Sequence, residues 1–202
     1  YGSRLPVVKG DFTPYWEDGA GSAARETAAN RRSADQLVQA ETLFALRRPA
    51  DYPAEAFRQA WKWVLLFSEH TWGAWNSVSD PDSEFAKVQW ATKRSYAERG
   101  AEAAGKLLAA ALQPTGTVVP GAIDVHNTSS WPRTGLVTIP AALAGKANCV
   151  GLEPSQRLRS GDLVFLAKDV PAFGSKRYAL GAGRWVTARG AVAAGSTLVT
   201  ST

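Results

Sequence analysis

The sequence predicts an α+β chain: an antiparallel three-helix bundle with a preceding loop over residues 1–115, then a partial antiparallel β-sandwich over residues 116–202. Three observations predict it. Up to Leu112 the chain is rich in Ala, Leu, Gln, Arg and Glu, with apolar residues at helical spacing. Gln113-Pro114-Thr115-Gly116 interrupts that texture, and beyond it the chain becomes Val-, Thr- and Gly-rich. The composition of 45% hydrophobic and 20% charged residues over 202 positions is that of a globular chain, not of a disordered, collagenous or coiled-coil one.

The spacing predicts a first helix over residues 22–47, in which Leu37, Ala40 and Phe44 form an apolar stripe opposite the charged residues. Arg47-Arg48-Pro49 ends it. Asp51 is a fair N-cap for a second helix with Pro53 in its first turn, followed by Phe57, Trp61, Val64, Leu65 and Ser68 at helical steps. A third helix is expected to open at Asp80-Pro81, present Phe85, Val88, Thr92 and Tyr96 on one face, and run on to Leu107, Leu108 and Ala111. In the second part, Thr117-Val118-Val119, Leu136 to Ile139, Asp162 to Leu166 and Arg184 to Thr187 read as β-branched strands between turn residues. Thr197 to Thr202 reads as a further strand at the chain end, so the sandwich is expected to be incomplete. The chain lacks methionine and an apolar leader, and is expected to be a piece of a longer polypeptide.

Composition excludes several function classes. The longest apolar run, around Trp63 to Phe67, falls far short of the roughly 18 residues that cross a bilayer, so a soluble chain with no membrane partner is expected; the compartment is left open, with the cytoplasm favoured. One cysteine, Cys149, forbids an internal disulfide, and one Cys with two His cannot alone complete a structural zinc site. The net charge of +5 arises after residue 113: residues 1–112 carry 14 basic and 14 acidic side chains, the remainder 9 and 4. No Lys/Arg run exceeds a pair, so a phosphate-tracking surface for nucleic acid is not expected. Serine-hydrolase chemistry lacks Gly-x-Ser-x-Gly, and Gly19-Ala20-Gly21 and Gly181-Ala182-Gly183 lack the rest of a dinucleotide fingerprint.

Two segments are candidates for chemistry. Gly10 to Gly19 packs Asp11, Glu17 and Asp18 with Phe12, Tyr15 and Trp16 ahead of the first helix. Aromatic faces that stack on sugar C–H patches, beside carboxylates that take hydroxyls or supply acid and base, make carbohydrate sites. The plainer reading is a loop whose aromatics cap the bundle core. Ser68 to Ser79, between the second and third helices, is long for a helix–helix turn and holds Glu69, His70, Trp72, Trp75 and Asn76. Here too a plainer reading exists, with His70 as a helix C-terminal cap. Trp72 and Trp75 are candidates for a sugar platform, whereas Trp61 is core by spacing. Asn127-Thr128-Ser129 matches a glycosylation acceptor, a pattern common by chance.

At these segments the sequence resembles glycoside hydrolase family 38, the zinc-dependent retaining α-mannosidases. The likeness is carried by Gly10-Asp11-Phe12 with Tyr15-Trp16, by Glu69 to Ala74, and by Asn127 to Arg133 with Pro154-Ser155-Gln156 and Pro171 to Gly174, in the family's order. The resemblance implies the family's helical middle domain running into the start of its C-terminal β-domain. It implies His70 as one zinc ligand, with a His-x-Asp pair, the nucleophile and the general acid supplied by an N-terminal α/β domain outside this chain. It places Asp11, Tyr15, Trp16, Glu69 and Trp72 about a mannose-containing glycan; Glu69 and Thr71 stand where many members have His and Asp. The chain alone is then expected to be inert. A rival reading is a non-catalytic carbohydrate-binding or interaction module whose Trp-rich loops hold glycan without turnover.

Overall fold

The computed structural model describes residues 6–10, 21–69 and 73–183, and the backbone of residues 191–194 and 197–200. It is an α+β structure whose contacts divide into two compact units, Tyr1–Thr115 and Gly116–Thr202. The first unit holds helix α1 (Ala24–Arg47), one 3-10 turn (Pro49–Asp51), α2 (Ala54–Ser68) and α3 (Glu84–Ala111). Asn30, near the start of α1, bonds Ser68 at the end of α2, and Arg47, at the end of α1, bonds Ala111 at the end of α3. So α2 runs against the other two, giving an antiparallel three-helix bundle. Among the described residues no helix is long and apolar enough to cross a membrane.

Each helix turns a stripe of three- and four-residue steps toward the others. On α1 it is Asn30, Ser33, Leu37, Ala40 and Phe44; on α2, Phe57, Ala60, Val64 and Phe67; on α3, Ala86, Ala97, Gly100, Ala104, Leu107 and Ala111. Leu37, Phe44, Phe57, Val64 and Leu107 share one core, each large apolar side chain contributing roughly 1.5–3 kcal/mol by leaving water. Phe44 meets Phe57 edge-on at 5.9 Å, and Tyr52 stacks on Phe57 at 4.9 Å. The Arg47 and Arg48 guanidinium groups donate to the Ala111 and Ala110 carbonyls, capping the end of α3. This pair of arginines is thus occupied by the fold.

Three helical details depart from the sequence reading. The second helix opens at Ala54, because Pro49–Asp51 closes its own 3-10 turn and leaves Asp51 paired with Arg48 at 3.2 Å instead of capping. The third opens at Glu84, where the Ser83 hydroxyl accepts from the Ala86 amide. Phe85 and Val88 are exposed, as is Leu65 on α2, since the close-packed faces are made of Ala and Gly on α3 and include Phe67 on α2.

The second unit pairs strands β1 (Ala122–Asn127), β2 (Arg133–Ile139), β3 (Cys149–Val150), β4 (Ser155–Arg157), β5 (Leu163–Val170) and β6 (Gly174–Gly181) into two antiparallel three-stranded sheets, ordered β1-β6-β3 and β2-β5-β4. A four-residue helix α4 (Ala141–Ala144) follows β2, and β7 (Ala191–Ala194) pairs with β8 (Thr197–Thr200). Ile139, Val150, Leu163, Phe165 and Tyr178 belong to one core, with Phe165 of one sheet edge-on to Tyr178 of the other at 4.8 Å. The β5–β6 turn needs Gly174, where a Cβ would lie 2.9 Å from the Pro171 ring. Thr117-Val118-Val119 is not a strand; it leads into β1 with Val118 and Val119 exposed. The strand expected at Arg184 to Thr187 lies outside the described residues.

Candidate functional site

The interhelical stripe changes character along the bundle. From Leu37 and Phe57 toward Ala111 it is apolar, but at the end where α1 begins, α2 stops and α3 begins it becomes polar. Asn30 is buried, and its amide donates to the Val64 carbonyl at 3.3 Å and the Ser68 hydroxyl at 2.9 Å. Arg94 of α3 pairs with Glu26 of α1 at 3.2 Å, with the Glu26 side chain only 15% exposed. The Ser22 and Ser77 hydroxyls bond at 3.0 Å, tying the loop after α2 to the start of α1. Among the described residues, Thr27 Oγ1, Asn30 Oδ1, Gln89 Nε2 and Trp90 Nε1 are buried at this end without a hydrogen-bond partner.

Lys93 is central to it. It continues the buried stripe of α3, four residues before Ala97, and its side chain is 15% exposed. Its ammonium donates to the carbonyls of Leu66 at 2.9 Å, Phe67 at 3.5 Å and Glu69 at 2.6 Å, and lies 3.5 Å from Glu69 Oε2. The Leu66 and Phe67 carbonyls belong to the last turn of α2, where the helix dipole is negative, and Glu69 follows the helix. Burial pulls the Lys93 pKa below its ordinary value.

Two hollows adjoin these groups. A cavity of about 10 Å3, the room of one water, lies among Phe67, Gly73, Trp90 and Lys93. A cleft of about 360 Å3 opens between Ser77, Pro81, Lys87, Trp90 and Arg94. The Arg94 guanidinium stands 6.0 Å from the Trp90 ring, and Lys87 is 3.8 Å from Asp82. The cleft is thus lined by an indole and by the cations Lys87 and Arg94, each paired with a carboxylate that does not itself line it. A longer groove follows the outer face of α2 from Tyr52 past Trp61 and Leu65 to Glu69, and in it Glu41 accepts from Trp61 Nε1 at 3.2 Å and from the Tyr52 hydroxyl at 3.3 Å. Burial, followed by the nearby Glu41 carboxylate, raises the Tyr52 pKa.

Of the residues singled out in the sequence, Glu69 is described: it follows α2 in extended conformation (φ −69°, ψ 131°), with its side chain about half exposed. Asp11, Tyr15, Trp16, His70 and Trp72 lie outside the described residues. Trp75 is 63% exposed and meets Phe85 edge-on at 6.0 Å. The acceptor-like Asn127 is buried, its amide donating to the carbonyls of Trp131, Val170 and Pro171, so that amide is spent on the fold. Among the described residues no three His, Cys, Asp or Glu side chains come together as a metal-ligand set, so these residues alone do not fit a zinc ion.

Sequence reasoning missed Glu26, Asn30, Trp90, Lys93 and Arg94. A signal existed for three of them: Asn30, Trp90 and Lys93 fall on the steps of the inward stripes, where a polar or outsized residue calls for a partner. Comparison with protein-family models, with curated proteins and with solved structures finds no match to this chain.

Proposed function

We propose that the chain is the helical middle portion and adjoining β-portion of a metal-dependent retaining glycoside hydrolase acting on α-mannosides. In this reading His70 is the chain's contribution to a zinc site, and Asp11, Tyr15, Trp16, Glu69 and Trp72 surround the sugar. The observation that carries it is the change from apolar to polar of the stripe at one end of the bundle. A bundle built only to fold would continue Leu and Ala there, because burying Asn30, Lys93 and the Trp90 indole N–H costs free energy that plain packing avoids. That end is where α2 stops, two residues before His70, and where α1 starts, shortly after Asp11 to Trp16. The order of a three-helix bundle followed by antiparallel strands also agrees with the resemblance to glycoside hydrolase family 38.

The division of labour follows from the residues present. Aromatic side chains and Glu69 bind and orient the sugar, while the nucleophile, the general acid and the remaining metal ligands come from an N-terminal α/β domain of the same polypeptide. The test is made on the protein at its natural length. His70→Ala is expected to reduce release of mannose from an aryl α-mannoside to background and to lower bound zinc, with the thermal unfolding of the bundle unchanged. Full activity in that variant, or zinc-dependent release of mannose by the 202 residues alone, would overturn the reading.

A further inference from the structure

We propose that the cleft between α3 and the loop of residues 77–81 binds a small phosphate monoester carried on a ring. Lys87, Trp90 and Arg94 follow one another along α3 at steps of three and four residues, which sets one cation a turn before the indole and one a turn after it. Ser77 and Pro81 line the cleft from the loop. Its volume of about 360 Å3 has room for one small ring with its substituents.

The chemistry of the lining is one-sided. Lysine and arginine side chains donate and cannot accept, and among the described residues no carboxylate lines the cleft. Asp82 stands 3.8 Å from Lys87, beyond hydrogen-bond reach, and its side chain is 95% exposed, so it holds the ammonium only loosely. Glu26 engages Arg94 through Nε at 3.2 Å, and among the described residues the two terminal nitrogens of that guanidinium have no acceptor. Arg47 and Arg48 differ, because their terminal nitrogens are spent on the Ala111 and Ala110 carbonyls. A neutral polyol needs acceptors as well as donors. A phosphate monoester offers acceptor oxygens almost exclusively, and its roughly 1.5 to 2 negative charges at neutral pH answer two cations. The Trp90 ring between those cations gives the ligand's ring a flat face to stack on, and the Arg94 guanidinium already stands 6.0 Å from that ring.

The experiment titrates phenyl phosphate into the natural-length protein at low ionic strength, measures binding by equilibrium dialysis, and locates it by hydrogen exchange. Saturable binding is expected, with exchange slowed at the amides of residues 77–94 and affinity falling as salt is raised. Arg94→Gln is expected to weaken binding about tenfold or more and Lys87→Gln about threefold. Lys87 is 58% exposed, so Lys87→Gln decides the matter if Arg94→Gln, which strands Glu26, does not fold. Trp90→Leu is expected to erase the preference for phenyl phosphate over inorganic phosphate. Lack of saturable binding at millimolar phenyl phosphate would overturn the proposal, as would slowed exchange confined to other parts of the chain or unchanged affinity in Lys87→Gln. Equal affinity for inorganic phosphate would remove the stacked ring, and equal affinity for phenyl β-glucoside would remove the anion; either result sinks the ligand class proposed.

Discussion

Asn127 shows how much one side chain can hold. Its amide nitrogen donates to Trp131 O at 2.8 Å and to Val170 O and Pro171 O at 3.1 Å, while its Oδ1 accepts from the Ser129 amide at 2.9 Å. It thereby joins the end of β1, the loop before β2 and the β5–β6 turn. Removing it leaves the buried Val170 carbonyl and the part-buried Trp131 and Pro171 carbonyls without this donor. Asn127→Ala is expected to destabilise the β-unit by about 3 kcal/mol, measured by denaturant unfolding, and Asn127→Asp by a comparable amount because an acceptor replaces the donor. A loss below roughly 1 kcal/mol would mean that the three carbonyls find other partners. The same pattern, Asn-Thr-Ser, reads in sequence as a surface acceptor; the burial of the asparagine is a tertiary fact that the three letters do not contain.

Among the elements, α3 carries the sharpest contrast between sequence and structure. Large apolar residues guide a sequence reading, yet Phe85 and Val88 are exposed and the packed stripe is Ala86, Ala97, Gly100 and Ala104. Small residues let helices approach closely, so their contribution depends on neighbours and not on their own hydrophobicity. The first helix was legible because its stripe is built from Leu37, Ala40 and Phe44. Gly100 gives a direct test: a Cβ there would touch Val64 Cγ2 at 3.6 Å and Trp63 Cβ at 3.7 Å, ordinary contact distances. Gly100→Ala is expected to stabilise the bundle by about 0.5–1 kcal/mol, since alanine is the better helix former and the methyl fits. A lowered melting temperature would mean that α2 and α3 stand closer than these distances imply. Charge on the helix surfaces acts at the same scale. The Glu55 carboxyl is held below its ordinary pKa by the Gln59 amide and then by Arg58, and the Glu102 carboxyl by Lys106. Groups depressed in this way add stability above the unfolded carboxyl range and lose it as pH falls through the folded value. Melting curves of Glu102→Gln and the parent chain are therefore expected to differ slightly at neutral pH and to converge at acid pH.

At the scale of the molecule, the two units have separate cores. The helical core gathers Leu37, Phe44, Phe57 and Leu107, the β core Ile139, Leu163, Phe165 and Tyr178, and the Pro- and Gly-containing stretch from Gln113 to Val119 between them is exposed throughout. That boundary is written locally in composition, which is why it can be read from the chain. The polar end of the bundle is not written locally: it exists because Asn30 on α1 and the adjacent Lys93 and Arg94 on α3, far from Asn30 in sequence, meet the end of α2 and each other's neighbours only once the helices pack. With no core residue in common, the two units are expected to lose structure separately. Phe57→Ala should cost the helical unit about 3–5 kcal/mol and move the far-ultraviolet signal of helix, while Phe165→Ala should cost the β-unit a similar amount and leave the helical signal in place. Following both variants by circular dichroism and by hydrogen exchange resolved along the chain separates the cases. If either substitution shifts both units by the same amount, the units fold as one cooperative body.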